Sequence, residues 1–490
     1  MKAKIFMAKV IKLILGLCLL AAPSARAFSL LGPFTGWQVQ ALSYQWGSDI
    51  GGPMNLSEGF RWNIPVITYS YDRSFILYFG DEGVKAIDEA MRILNEVMPA
   101  SKISLDLSEY STQTLRENYE AETLGLFDLK STALHFLVEE LGLADPVRYT
   151  YTLRGRAVGT PPFTNYVTAF RNYDPVTREA SRYVNGTLYT FEIQEFAAPF
   201  QHADAVEFPA AVGNEALENV PVATGGARVG DTGPNAVIAV GRFRVGLSRD
   251  DVGGLRYLYH KNNYAVEDLL PNITLGRRLD SAWQPFVNIT NFVGVTNQFI
   301  GTNGLGTNVV STGLRGGKNK LHFQKVLFDS ILGTSFTPIT NAYTDVVVST
   351  NRALVVQPVL RPITVPDIIF SAGDLGLSAP PAIVPIITRR TDTSNWVDND
   401  ALNGFDDVDA EARGPGVIPP SITISFSDQF PSLISTDNAF LGAGSGEDFS
   451  FSTGYWGSFD GSTNPPVIFS KFGILSIQQL RNQILGGAPR

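Results

Sequence analysis

The amino-acid sequence predicts an α+β protein whose helices crowd into its first half and whose strands run through its whole length. Three segments place apolar residues at the three-to-four spacing of an amphipathic helix, and all of them end before residue 263. Beyond about residue 265 the chain alternates and is dense in Asn, Thr and Gly, which favours strands in a sandwich-like β domain.

The first residues predict a secretory signal peptide over residues 1–27. Lysines precede an apolar run from Leu13 to Ala22, and a small-residue triplet ends at Ala27. The run is too short to remain as a membrane span. The only cysteine, Cys18, lies inside it. We therefore expect a secreted protein of bacterial type, extracellular or at a periplasmic or cell surface, without disulfides or thiolate metal sites.

Length and charge limit the organisation and the partners. The chain has 490 residues with 38 basic and 47 acidic side chains, and the predicted signal removes only basic ones. An acidic mature chain is a poor ligand for nucleic acid or anionic lipid. We predict an α+β domain over residues 28–264, a β-rich domain over 265–377, a Pro- and Asp-rich linker over 378–420 and a C-terminal β segment over 421–490.

The α+β part opens with a predicted strand and a predicted helix. The strand spans Arg61 to Asp72, which is rich in β-branched and aromatic residues. The helix follows and is stopped by Pro99. Its apolar stripe consists of Val84, Ile87, Ala90, Met91, Leu94 and Val97.

A second helix is predicted within the stretch STALHFLVEELGLADP, residues 131–146. Asp128 can cap its start and Gly142 can end it. His135 and Glu139 stand four residues apart, so both can point at one metal ion. Phe136 lies on the far side of the apolar stripe, which indicates a helix covered on two sides.

The rest of this part is predicted as a hairpin, a loop, a strand and a third helix. The hairpin turns at Asn185-Gly186, and the loop runs from Ala197 to Gly233. A strand begins at Ala236. The third helix is capped by Ser248 with Asp251 three residues on.

The stretch HFLVEELGLAD resembles the zinc helix of the metzincin peptidases, written H-E-x-x-H-x-x-G-x-x-H. His135 falls on the first ligand position, Glu139 on the second, Gly142 on the turn glycine and Asp145 on the third ligand position. The resemblance implies a metzincin-like domain, a twisted sheet with three main helices. In that family the helix holds zinc and its glutamate acts as general base.

Two further segments are similar to one branch of this family, the matrixins. WNIPVITYSYD with the helix that follows looks like the matrixin opening strand and helix. GLSRDDVGGLRYLYHKN is similar to the closing helix, usually L-S-x-x-D-x-x-G-I-x-x-L-Y. The resemblance extends over about residues 60–262, in three islands.

Departures from the family pattern argue against peptidase activity. Phe136 stands at the general-base position, and phenylalanine cannot take a proton from a bound water. Glu140 is only a remote substitute, because it lies about 100° around the helix from Glu139. Met98 is the last methionine, so the methionine turn beneath a metzincin site is absent as well. No catalytic residue is therefore expected.

The candidate metal ligands leave three interpretations open. His135 and Glu139 are a polar pair on a structural helix, or they form a metal site with Asp145, or they serve a divergent hydrolase. One nitrogen and two carboxylates could hold zinc, manganese or calcium. A separate acidic loop is a second calcium candidate or a solvated linker, and its carboxylates are Asp398, Asp400, Asp406, Asp407 and Asp409. His202, His260 and His322 show no ligand partner at a telling spacing.

These observations favour a secreted, matrixin-like protein without catalysis, which binds an extracellular protein, peptide or polymer as a scaffold or surface component. It would carry no cofactor, or zinc. One alternative is a divergent zinc-dependent endopeptidase. Another is a surface adhesion or structural protein that acts through its β domain.

Overall fold

The computed structural model describes most of the chain between residues 26 and 484. The described residues are 26–32, 52–56, 59–158, 164–196, 202–210, 219–224, 239–270, 272–275, 310–329, 335–348, 354–374, 416–418, 420–427, 433–435, 455–470 and 473–484. Most of the predicted signal peptide and most of the predicted linker lie outside them.

The described residues form five helices and many short strands. The helices are α1 (Arg73–Glu96), α2 (Tyr119–Thr123), α3 (Leu129–Glu140), α4 (Arg249–Tyr259) and α5 (Ile477–Ile484). In the first half the strands are β1 (Phe28–Gly32), β2 (Gly52–Pro53), β3 (Phe60–Arg61), β4 (Val66–Tyr71), β5 (Leu115–Glu117), β6 (Leu126–Asp128), β7 (Leu143–Ala144), β8 (Thr152–Val158), β9 (Thr164–Ala169), β10 (Asn172–Tyr173), β11 (Tyr183–Val184), β12 (Thr187–Phe196), β13 (His202–Pro209) and β14 (Arg242–Arg244).

The second half contributes a similar number of strands. They are β15 (Tyr264–Asp268), β16 (Thr274–Leu275), β17 (Thr312–Gly316), β18 (His322–Lys325), β19 (Phe328–Asp329), β20 (Ser335–Phe336), β21 (Ile339–Val348), β22 (Leu354–Ile363), β23 (Ile368–Asp374), β24 (Gly416–Val417), β25 (Ile422–Ser427), β26 (Leu433–Ser435), β27 (Tyr455–Ser458) and β28 (Val467–Ile468). The protein is therefore a mixed α and β protein in which strands predominate. None of its described helices combines the length and apolarity that crossing a membrane requires.

The three predicted helices are present as α1, α3 and α4. Helix α1 begins earlier than predicted, because the Asp72 carboxylate caps it by accepting from the Phe75 amide at 2.9 Å. Gly80, at φ 58°, interrupts it. Helix α4 has the predicted capping box, in which Ser248 and Asp251 bond each other's backbone amides.

The predicted hairpin at Asn185-Gly186 joins β11 to β12, and both turn residues have positive φ, 42° and 91°. The prediction of a loop from Ala197 to Gly233 was wrong for its first part. Strand β13 lies there and pairs antiparallel with β12 from Tyr189↔Pro209 to Phe196↔His202. The buried residues of this strand include Ala203 and Ala205, whose small side chains give little period-two signal.

One mixed sheet combines strands that are far apart in sequence. Its order is β18-β4-β23-β25-β26, and β4 pairs in parallel with both β18 and β23. Helix α1 covers this sheet, with Phe75 and Phe79 stacked on Phe426. Strands from both sides of the predicted boundary at residue 265 thus lie side by side in a single sheet.

A second sheet follows α4 and is entirely antiparallel. Its order is β15-β17-β21-β22-β16. It meets the first sheet through Asp367, whose carboxylate accepts from the Thr68 amide of β4 at 2.7 Å and pairs with Arg361 of β22. The described part of the chain from residue 264 onward is therefore bonded closely to its first half.

Candidate functional site

Helix α3 carries the candidate site and is held firmly at both ends. The Asp128 carboxylate accepts from the Ser131 amide at 3.0 Å and caps the start. At the end, Gly142 has φ +101°, and a Cβ there would lie 1.9 Å from the Phe60 carbonyl oxygen. Only glycine fits this turn. All its residues except Lys130 are buried, so the helix is covered on more than the predicted two sides.

His135 is buried and its ring orientation is fixed by the backbone. Its Nδ1 lies 2.7 Å from the Val222 carbonyl oxygen. Because a carbonyl only accepts, Nδ1 donates, and the neutral ring then carries its lone pair on Nε2. Burial above all, together with the charge of Arg244, lowers the pKa of His135 to about 4 against the opposing bond to Val222, so the ring is neutral at neutral pH.

Glu139 is the neighbour of His135 on the same face of the helix, as its spacing predicts. Its Oε1 lies 3.5 Å from the His135 Nε2. Since the ring is neutral, this contact places two acceptor atoms near each other and is not an ion pair. Both atoms could bind a metal ion placed between them.

Phe136 and Glu140, the residues considered for the general-base position, are both buried. Phe136 is fully buried and its ring stands edge-on to that of His135, with centroids 4.9 Å apart. Glu140 is buried too, and its peptide oxygen accepts from Trp62 Nε1 at 2.7 Å. The residue at the general-base position is thus part of the hydrophobic core.

Asp145 follows the glycine turn and organises the next segment. Its carboxylate accepts from the Val147 amide at 2.8 Å and the Arg148 amide at 3.1 Å. Among the described residues, no group of three or more His, Cys, Asp and Glu side chains is arranged to hold a metal ion. The structure brings His135 and Glu139 together, and the three-ligand site stays a prediction.

A short segment, residues 220–223, lies against His135 and is held through its backbone. Arg244 donates to the Val220 and Pro221 carbonyls. The Asp251 carboxylate accepts from the amides of residues 222 and 223, both at 2.9 Å. The His135 contact with Val222 completes the set. Side chains from α3, β14 and α4 therefore fix the segment.

Arg244 brings a buried positive charge next to His135. Burial lowers its pKa to about 10, while the Asp251 carboxylate opposes that shift. The guanidinium remains charged at neutral pH and repels a second cation nearby. The cavity between them has a volume of about 10 Å³ and is lined by Asp128, His135, Thr224 and Arg244, among others. That volume holds about one water molecule.

The sequence did not identify Arg244 and Val222 as parts of the site, nor the contact of the Asp251 carboxylate with the amides of residues 222 and 223. Arg244 follows a predicted strand and has no motif around it, so its burial left no local signal. Asp251 was predicted only as a helix cap. Of the remaining candidates, His260 and His322 lie on separate elements, and the acidic loop of residues 398–409 lies outside the described residues.

Comparison with known proteins gives no relative. No family model matches the chain, and neither a curated protein nor a solved structure matches it.

Proposed function

We propose that this is a secreted protein with a matrixin-like domain that lacks peptidase chemistry and serves in binding, scaffolding or surface structure. The observation that carries the proposal is the burial of Phe136 in the core at the position of the general base. A zinc-bound water would find no proton acceptor there.

The matrixin-like part of the proposal is supported by the order and contacts of its elements. Strand β4, helices α1, α3 and α4 and the Gly142 turn follow one another in the expected order. The Tyr259 hydroxyl of α4 donates to the Leu141 carbonyl at the end of α3 at 2.8 Å, so the closing helix packs on the turn. Residues 220–223, which contain no methionine, lie beside His135 where the family would place its methionine turn.

The proposed absence of peptidase activity is supported by the hydrogen bonds that the polar side chains beside α3 form. His135 and Arg244 form hydrogen bonds with residues 220–223, and the cavity between them has room for about one water molecule, which is too little for a peptide segment. An extracellular protein, peptide or polymer would therefore bind elsewhere on the surface. The sandwich-like arrangement predicted for the later strands is part of the same proposal, supported by the antiparallel sheet from β15 to β22.

A non-catalytic metal site is the second candidate, and one observation favours it. The bond from Nδ1 of His135 to a carbonyl directs the Nε2 lone pair toward Glu139, which is the arrangement common to histidine metal ligands. Zinc would be the expected ion at such a nitrogen ligand. The positive charge of Arg244 would weaken the binding of such an ion.

Metal content and proteolysis of the purified secreted chain test the proposal. We expect no stoichiometric zinc and no cleavage of casein or gelatin, with His135→Ala behaving like the parent in both assays. His322→Ala, at an exposed histidine, is the matched control. Zinc bound one to one together with casein cleavage, both lost only in His135→Ala, would overturn the proposal in favour of a peptidase. Zinc bound one to one without cleavage of casein or gelatin would establish the non-catalytic metal site.

A further inference from the structure

The antiparallel sheet formed by β15, β17, β21 and β22 has its charged face inside and its apolar face outside. The side chains of Arg315, Asp345 and Arg361 are buried on the inner face together with those of Glu267 and Gln357. They bond one another and the first half of the chain, as in the pair Arg61–Glu267 at 2.6 Å. The inner face is therefore already occupied.

The outer face is apolar along one complete row of paired residues and in two further pairs beside it. The strand register aligns the row as Val266, Leu314, Val348 and Leu354, and it pairs Tyr264 with Gly316 and Val346 with Val356. Leu354 is 64% exposed, Val356 50%, Tyr264 49% and Val346 41%. Farther along, β21 and β22 present only uncharged residues on this side, namely Thr340, Ala342, Thr344, Pro358, Leu360 and Pro362.

We propose that this outer face is the contact surface between two copies of the chain. A neutral face suits an identical partner, because two such faces meet without like-charge repulsion. The chain as a whole is acidic, with 47 acidic against 38 basic residues. Two copies repel one another over most of their surfaces, and the face of β15 to β22 is where that repulsion is weakest. Asp268, at the end of β15, and the exposed Lys261, whose carbonyl lies against Gly316, carry opposite charges at its rim.

The size of the face agrees with a dimer contact. Strands β21 and β22 have ten residues each. At about 3.4 Å per residue and about 4.8 Å between strands, the four strands present about 500 Å². Two copies would bury about 1,000 Å², the lower limit for a specific interface. Two stacked antiparallel sheets about 10 Å apart would then form a sandwich between the copies.

Sedimentation velocity of the full secreted chain tests the contact. Over about 1 to 100 µM we expect the parent to shift from monomer to dimer. Val346 and Val356 face each other across β21 and β22. The double variant Val346→Lys/Val356→Lys should weaken association on the order of 100-fold. Leu105→Lys is the matched control, since Leu105 is a 72% exposed leucine outside this face. A parent that stays monomeric, or a dimer untouched by the double variant, would overturn the proposal.

Photo-crosslinking identifies what covers the face. The only cysteine, Cys18, lies in the predicted signal peptide, so Val356→Cys gives the secreted chain a single thiol for a photoreactive group, with Leu105→Cys as the control. In a mixture of light and ¹⁵N-labelled chains, mixed-isotope adducts on β15 to β22 are expected at Val356. Adducts confined to one chain, for example to the uncharged residues 281–309, would overturn the proposal. At about 1 µM, where both are expected to be monomers, the double variant should unfold at the same temperature as the parent, which excludes loss of the fold as the cause of dissociation.

Discussion

Two buried polar networks in this molecule differ in what they hold. Beside α3, His135, Arg244 and Asp251 bond mainly to backbone groups of residues 220–223. On the inner face of the antiparallel sheet, Arg61 of β3 and Arg315 of β17 bond to the carboxylates of Glu267 and Asp345 as well as to carbonyls. The first network shapes one loop, whereas the second joins distant parts of the chain. Disrupting the second should therefore cost more stability.

Truncation after residue 264 should have the largest effect. It removes β18 and β23 from both sides of β4 and leaves the Arg61 guanidinium without Glu267. We expect the truncated chain to show no cooperative urea transition by circular dichroism, because β4 loses both of its partner strands and the core between α1 and its sheet is opened. Truncation after residue 484 is the control and should retain the transition. A cooperative transition in the shorter chain would show that the second network does not join the two parts.

Arg61→Met should have the second largest effect on stability. Arg61 donates to Glu267 and to the carbonyls of Leu258 and Asn263, all in the interior. Loss of one partner of a buried ion pair lowers the free energy of unfolding by about 3–5 kcal/mol, measured by urea denaturation. Arg92→Met, which removes exposed pairs with Glu89 and Glu96, is the control and should cost about 1 kcal/mol at most. Equal costs for both variants would contradict the comparison.

His135 should make the first network sensitive to acid. Its pKa falls from the usual 6.5 to about 4 on folding, so between these values the unfolded chain binds more protons than the folded one. This contribution to stability is complete above pH 6.5 and is lost as the pH falls toward 4. Relative to His135→Gln, the parent should lose on the order of 3 kcal/mol over that window. Parallel stability curves for parent and variant would exclude the effect, and His322→Gln, at an exposed histidine, should track the parent.

Arg244→Met should have the smallest effect of the four. The variant loses bonds to the Val220 and Pro221 carbonyls, at about 2 kcal/mol in the free energy of unfolding. It should also make residues 219–224 more sensitive to limited proteolysis, detected by mass spectrometry. Arg116→Met, at an exposed arginine, should change neither measurement. A stability loss as large as that of Arg61→Met would remove the difference between the networks.

The sequence predicts those parts of the fold whose cause is local. Asp128 and Ser248 cap helices with their own side chains, and Asn185-Gly186 has the backbone freedom that its turn needs. The pairing of β4 with β18 and β23 has no such signal, because parallel strands contact residues hundreds of positions away. Strands from two predicted domains therefore lie in one sheet, and no local sequence pattern indicated that sheet.

The same distinction between local and distant causes applies to the candidate site. The spacing of His135 and Glu139 on one helix predicts their proximity. The burial of Arg244 and Arg61 is not predictable, since an isolated arginine is usually exposed. Only the tertiary structure brings together the carbonyls and carboxylates that make their burial tolerable.

The position of β4 between two late strands has a consequence for biosynthesis. The ribosome makes Tyr71 roughly 250 residues before β18, a delay on the order of 10 to 50 seconds. During that interval β4 and the apolar face of α1 have no sheet to join. Parallel pairing across such a separation is slow to form. We therefore expect the nascent chain to depend on chaperones, and to fold only once its C-terminal strands have been made.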